Sequence, residues 1–405
     1  MLSVDEAQEQ LLAAIPVLAL EEAPILEALD RVLGHDAHAD LDLPPFTNSA
    51  MDGFAVLAAD TAGASADSPR RLPVVGYIAA GDPGTTPLSP GTAVRIMTGA
   101  PLPPGADAVI PIEQTRPLED AVDLLAAVSG GDSVRYAGED VRRGQRVLQA
   151  GALLRPGELG LLASLGYARV PVHRKPIVAI LSTGDELVDI GKVPGPGQIR
   201  NSNAAMLASQ VLRAGATPQM LGIARDTREA VHAALDAGRG ADLYVSSGGV
   251  SVGDFDVVKQ VLTERGSVDF WRVNMRPGKP VAFGRIDGIP FLGLPGNPVS
   301  AFVTFELFAR PVLRKMAGHR LRYRQPIPVV MDDRVPSANT RRHFARAFAR
   351  WEQDGWHAST TGAQESHLLS STVVANALVI VPEGSADIAA GERAAALLLE
   401  WPESL

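Results

Sequence analysis

The sequence predicts a multidomain α/β protein organised around one three-layer α/β domain. Three observations carry this. Residues 176–318 alternate short apolar runs with helical segments, the pattern of a mostly parallel sheet covered on both faces. Residues 71–148 instead break into short runs divided by turns such as Gly81-Asp82-Pro83-Gly84 and Gly130-Gly131, as in a largely β module inserted into a helical one. After Gly318 the short-strand texture returns, as in a small terminal barrel or sandwich. A chain of 405 residues is also too long for one ordinary core. The expected domains are 1–25 with 141–175 (N-terminal and linking), 26–140 (β insert), 176–318 (α/β) and 319–405 (C-terminal, β-barrel-like).

Taken in order, Val4–Leu18 has helical apolar spacing. Ser3 and Glu6 fit a capping box, and Pro16 implies a kink or an early stop. Leu26–Val32 is a second helical or extended segment. In Leu41–Val56, Pro44 and Pro45 forbid a helix interior, while Asn48, Ser49 and Asp52 make a polar turn. Strands are expected at Leu72–Ile78, Ala93–Met97, Ala108–Glu113, Leu124–Val128 and Val147–Leu148, then a helix at Gly157–Leu165. The α/β region reads as strands Ile177–Leu181, Thr217–Leu221, Leu243–Val245, Val268–Val273, Val281–Ile286 and Ile289–Leu292. Its helices are Asn203–Ala214, Arg228–Ala237 (capped by Thr227), Val257–Arg265 and Val299–Ala317. Gln325–Met331, His343–Trp351, His357–Ser359 and Ala377–Val381 are the terminal strands.

A net charge of −9 argues against a general nucleic-acid or anionic-membrane surface. The absence of cysteine rules out disulfides and thiolate metal sites, and is compatible with the cytosol. The first residues lack the pattern of a signal peptide, and no apolar run reaches membrane-spanning length. No Walker sequence or dinucleotide fingerprint is present, and His35 and His38 have no zinc-ligand company.

Three polar loops follow apolar strands: Leu181–Glu186, Leu243–Asp256 and Leu292–Ser300. Loops at the carboxyl ends of such strands share one crevice. Thr183, Gly184, Ser247, Gly248, Gly249 and Ser251 offer hydroxyls and backbone N–H groups to an oxyanion. Pro295, Asn297 and Pro298 make a rigid turn beside them. Asp185, Glu186, Asp226, Asp254 and Asp256 are too many carboxylates for a simple phosphate hole. Mg²⁺ held by two or three of them and by ligand phosphate offsets their repulsion. Arg272, Arg276 and Lys279 supply positive charge for phosphate or a small inorganic oxyanion; the alternative is ordinary surface charge.

Together PPFTNSAMDGFAV, IMTGAPLPPGADAVI, RYAGEDV, STGDEL, GQIRNSN, SSGGVSVGDFD, RPGKPVAFG and LPGNPVSAF resemble the molybdopterin molybdenumtransferases, the molybdenum-insertase family that includes the catalytic domain of gephyrin. The resemblance covers almost the whole chain. It implies an elongated four-domain homodimer in the cytoplasm whose α/β domain binds adenylated molybdopterin. Molybdenum from molybdate enters the dithiolene, and AMP and molybdenum cofactor leave. Glu186, Asp226 and Asp256 match acidic positions linked to catalysis, and Glu186, Asp254 and Asp256 are the implied Mg²⁺ ligands. Asn203, Gly253, Lys279 and Gly296 join the loop residues above, Asp185 among them, as the implied binding set. Thr98, Arg135 and Asp140 match β-module positions that reach the cleft, and Arg341 and Ser366 match an oxyanion site to which Arg272 and Arg276 add charge. Arg272 and Arg276 stand where many relatives have lysine, and Asp254 where some have glutamate. Implied partners are a molybdopterin adenylyltransferase and apo-molybdoenzymes. Molybdopterin adenylylation, Mg²⁺-dependent nucleotide hydrolysis and a non-enzymatic scaffold are the alternative functions.

Overall fold

The computed structural model describes residues 1–248 and 257–402, which form two compact units. One comprises residues 1–34, 151–156 and 169–405; the other comprises 35–150 and 157–168.

In the first unit, Val4–Ala14 is helical and opens on the expected capping box. Ser3 Oγ accepts from Glu6 N at 3.1 Å, and the Glu6 carboxylate accepts from Ser3 N at 2.7 Å. The helix ends before Pro16, which has no N–H to continue it. Leu20–Pro24 pairs antiparallel with Arg169–His173, a ribbon the sequence reading did not contain. Ile25–Ala28 is a short 3₁₀ turn, so Leu26–Val32 is neither a full helix nor a strand.

The α/β sheet has the order Thr217–Ala224, Ile177–Thr183, Leu243–Ser247, Ile289–Leu294, Pro280–Ile286, Gly266–Arg272. The first four strands are parallel, and Pro280–Ile286 runs antiparallel to both of its neighbours. Side-chain alternation divides the strands between two cores. Val178, Ile180, Leu243, Val245, Leu292 and Leu294 face Leu207, Val211, Val299 and the Val4–Ala14 helix. Ala179, Leu181, Tyr244 and Phe291 face Val231, Leu235, Val261 and Leu262. Burying apolar area on both faces at about 25 cal/mol per Å² is what holds the three layers together.

The expected helix Val299–Ala317 runs as Pro298–Thr304, a π-helical turn Phe305–Ala309, and Arg310–Met316. Pro311 has no N–H for the Leu307 carbonyl one turn earlier, and Gln8 Nε2 supplies the missing donor at 2.8 Å.

The C-terminal strands Pro326–Met331, Arg342–Glu352, Gly355–Thr360, Ala377–Val381 and Arg393–Leu398 close into a barrel, because Arg342–Glu352 pairs with both Gly355–Thr360 and Ala377–Val381. Arg393–Leu398 escaped the sequence reading because three successive alanines carry little strand signal. Ala345, Ala347 and Ala349 fill the barrel, while Phe344, on the other face of the same strand, packs on the α/β core. Met275–Arg276 joins the barrel sheet alongside Arg342–His343.

The second unit holds a six-stranded sheet ordered Ala108–Pro111, Gly53–Val56, Ala93–Ile96, Arg70–Ile78, Ala121–Leu124, Thr115–Pro117. The strand expected at Leu124–Val128 ends at Leu124 and begins three residues before it. The acidic Asp123 hid that start, but it faces a bidentate partner, Arg71, at 2.7 and 3.0 Å. Leu43 pairs with Val141 and Ala37–His38 with Arg146–Leu148, so the chain on either side of residue 140 is joined in this unit.

Candidate functional site

The strands Ile177–Thr183, Leu243–Ser247 and Ile289–Leu294 are adjacent and parallel, so their following loops leave one edge of the sheet. A cavity of about 180 Å³ opens there. Thr183, Glu186, Asn203, Ser247, Gly248, Gly296 and Pro298 line it, with Leu187 and Ile199–Ser202. Two glycines are needed for this geometry. At Gly248 (φ 91°) a Cβ would lie 3.1 Å from the Thr183 carbonyl oxygen. At Gly184 (φ 143°) it would sit 2.5 Å from a Glu186 carboxylate oxygen, so the glutamate folds over a bare backbone.

Asn203 stands near the start of the helix Ser202–Arg213, whose cap is Asn201. Its Nδ2 donates to Ser247 Oγ at 2.8 Å and to the Gly296 carbonyl at 2.7 Å, tying the ends of two strands together. Asp185 Oδ1 accepts from Asp226 N at 3.4 Å, which links their loops. Neither residue lines the cavity, whereas Glu186 does. Pro295 is buried behind the turn. Gly249, Ser251, Gly253, Asp254 and Asp256 lie outside the described residues.

A second cavity, of about 360 Å³, opens between the α/β domain and the barrel. Arg276, Lys279, Arg341 and Ser366 line it with Gly278, Ser300, Gln364, Glu365 and His367. Among the described residues, the side chains of Arg276, Lys279 and Arg341 share this cavity with the carboxylate of Glu365, an arrangement suited to a small dianion. Lys279, grouped from sequence with the pterin-loop residues and also with Arg272 and Arg276 as charge for an oxyanion, lines this cavity. Arg272 lines neither cavity: it ends an exposed strand, and its carbonyl accepts from Leu2 N at 3.1 Å.

One turn separates the two cavities. Asn297 Nδ2 donates to Ser366 Oγ at 2.9 Å, and Val299 N donates to the Ser366 carbonyl at 3.1 Å. Gly296, just before, carries the carbonyl that Asn203 holds. The sequence reading missed Gln364, Glu365 and His367. They flank Ser366 in a loop whose composition gives no chemical signature.

In the second unit, Asp52 Oδ1 accepts from Thr98 N at 2.7 Å and from Thr98 Oγ1 at 2.6 Å. These two bonds hold the Asp52 carboxyl below its usual range, with the Arg95 charge adding to them. Arg135 pairs in register with Asn48, and Asp140 N donates to the Leu43 carbonyl at 3.0 Å. Thr98, Arg135 and Asp140 are all exposed and all border the segment 43–52.

Among the described residues, Glu352, Asp354 and His357 form a cluster with metal-ligand spacing. His357 is already bonded at both nitrogens, to Asp354 at 2.9 Å and Asp332 at 3.2 Å. These partners push its pKa up, so a protonated imidazole accounts for the cluster without an ion.

Residues 2–166 match the MoeA N-terminal region (domains I and II), 179–315 a probable molybdopterin binding domain, and 328–399 the MoeA C-terminal region (domain IV). The fold and the loop-built cavity therefore define a MoeA-type protein with a molybdopterin-binding domain. Molybdopterin molybdenumtransferase 2 of Mycobacterium tuberculosis is 41% identical over 97% of this chain and 98% of its own. Molybdopterin molybdenumtransferase of Bacillus subtilis is 38% identical over 94% and 91%. The crystal structure of the molybdopterin biosynthesis moeA protein from Pyrococcus horikoshii superposes with a TM-score of 0.82 at 30% identity, covering 98% of this chain and all of that one. The chain belongs to the molybdopterin molybdenumtransferase family of enzymes.

Proposed function

We propose that this protein transfers molybdenum from molybdate into adenylated molybdopterin, releasing AMP and molybdenum cofactor. The observation that carries this reading is the Gly296–Pro298 turn, which borders a hydroxyl- and glycine-lined cavity on one side and contacts Ser366 of a cationic cavity on the other. The first cavity takes the phosphate end of the nucleotide-bearing pterin: Ser247, Thr183 and the Gly248 backbone contribute small donors. The second takes the tetrahedral dianion, with Arg341 as a forked donor and Arg276 and Lys279 as further cations.

Mg²⁺ fits the oxygen donors on the first cavity. Glu186 folds over Gly184 with its carboxylate at the cavity, and Asp254 and Asp256 are the remaining ligands of the proposed set. When bound, the ion would neutralise phosphate charge during cleavage of the adenylate linkage. Asp226 and Asp256 complete the acidic set, with Asp226 on the loop tied to Asp185. Thr98, Arg135 and Asp140 act on the cleft of a partner subunit in a homodimer. The protein works in the cytoplasm, with a molybdopterin adenylyltransferase supplying substrate and apo-molybdoenzymes receiving product. Incubation with adenylated molybdopterin, molybdate and Mg²⁺ should give AMP and active cofactor, read out with an apo-molybdoenzyme. Product from ATP and unadenylated molybdopterin alone would favour an adenylyltransferase instead.

A further inference from the structure

Behind the cationic cavity lies a residue that none of the roles above uses. Arg346 sits in the strand Arg342–Glu352 on the same face as Phe344, between the barrel and the α/β core, and is 0% exposed. Its Nη2 donates to the Ala363 carbonyl at 3.0 Å and more weakly to the Glu365 carbonyl at 3.4 Å. Its Nε and Nη1 have no hydrogen-bond partner among the described residues. The Arg346 backbone is tied to the same loop. Arg346 N donates to Gln364 Oε1 at 2.8 Å, while its carbonyl accepts from Gln364 Nε2 at 3.1 Å and from Thr361 N at 3.0 Å. Gln364, Glu365 and Ser366 in that loop line the cavity.

A buried guanidinium stays protonated, and a buried charge is retained only where something offsets it. The nearby charges that act on Arg346 are Glu365, which favours the cation, and Arg276, which opposes it. His343, three residues earlier in the same strand, is also buried. Its Nδ1 bonds to the Pro336 carbonyl at 2.9 Å, its Nε2 has no partner among the described residues, and beyond its desolvation it feels the charges of Arg276, Arg346 and Arg341 together. Among the described residues, positive charge in this corner therefore exceeds the carboxylate charge set against it, and the excess adjoins the cavity assigned to the dianion.

We propose that Arg346 is a positioning residue for the oxyanion cavity: it curves the 361–366 loop so that Ser366 meets Asn297, and it keeps behind that loop a fixed charge that the arriving dianion offsets. This rests on the oxyanion reading given under Proposed function. Arg346→Met removes the charge and the two side-chain bonds to the loop at similar volume, leaving the backbone bonds to Gln364 and Thr361 in place. Molybdate binding is measured directly by calorimetry, and the half-saturating molybdate concentration and kcat are measured by product formation. The expected result is at least a tenfold weaker molybdate affinity, with kcat at saturating molybdate and affinity for adenylated molybdopterin within twofold of wild type. Arg346→Lys, which restores the charge, should recover part of the loss; a merely structural role would show no such recovery. Should the methionine variant fail to fold, Arg346→Gln, which keeps one donor for the loop, is read by the same criteria. Unchanged molybdate affinity in the folded variant, or an equal loss for both substrates, overturns the proposal. Arg341→Ala serves as the control. If it weakens molybdate binding while Arg346→Met does not, only the role of Arg346 falls; if neither does, the oxyanion reading falls and takes this proposal with it.

Discussion

Asn203 offers the sharpest test of how the α/β loops make a site. Its side-chain amide makes two hydrogen bonds, to Ser247 Oγ and the Gly296 carbonyl, both under 2.9 Å. A net contribution of roughly 1 kcal/mol per bond gives about 2 kcal/mol for the pair. If that tie chiefly preorganises the cavity, losing it should weaken adenylated molybdopterin by up to about 30-fold. Asn203→Ala deletes both donors. Asn203→Asp keeps the shape but sets a carboxylate against the Gly296 carbonyl, and it should be the worse of the two because the ligand is itself anionic. Equilibrium binding of adenylated molybdopterin and urea unfolding of both variants separate site from fold. Molybdate affinity should change little, because its cavity contacts the turn through Asn297 and Ser366. Wild-type pterin affinity in Asn203→Asp would refute the reasoning.

Three further outcomes are expected. His319 is buried, and desolvation, together with the charges of Arg314, Arg310 and His173, lowers its pKa to about 4. Its Nδ1 accepts from Arg314 Nη2 at 3.1 Å, which requires the neutral ring. The unfolded state then binds the extra proton first, so stability should fall as pH drops from about 6.5 towards 4, by about 3 kcal/mol from this group. His319→Gln should remove that part of the acid limb in urea melts at pH 7 and pH 4.5, and an unchanged limb would count against it. Asp256→Asn should abolish most Mg²⁺-dependent product formation while leaving the thermal unfolding curve in place; turnover in metal-free buffer would contradict this. Mixing inactive Asp256→Asn and Asp140→Ala chains, with subunit exchange demonstrated, should restore part of the activity if the sites are shared between subunits. Continued inactivity would place both residues in one chain's site.

The elements legible in the sequence, in the α/β domain and outside it, are those whose signals are local. Thr227 capping Arg228–Ala237, the Ser3–Glu6 capping box and the strand Ala377–Val381 follow from side chains within a few residues of one another. The strand-end loops could be assigned to one crevice because parallel neighbours must present their carboxyl ends together. The resemblance to molybdopterin molybdenumtransferases was carried by those loops together with motifs outside the α/β domain, PPFTNSAMDGFAV, IMTGAPLPPGADAVI and RYAGEDV among them. What the tertiary structure alone decided involves residues far apart in the chain. Leu20–Pro24 becomes a strand only through Arg169–His173, and the π-helical turn makes sense only once Gln8 reaches Leu307. The sequence by itself determined that Arg272, Arg276, Lys279 and Arg341 carry positive charge. Tertiary structure decided that Arg276, Lys279 and Arg341 line one cavity and that Arg272 does not. It also buried Arg346 behind them, which no local pattern foretells, since burial of a charge is set by what packs over the strand and not by the strand's own residues.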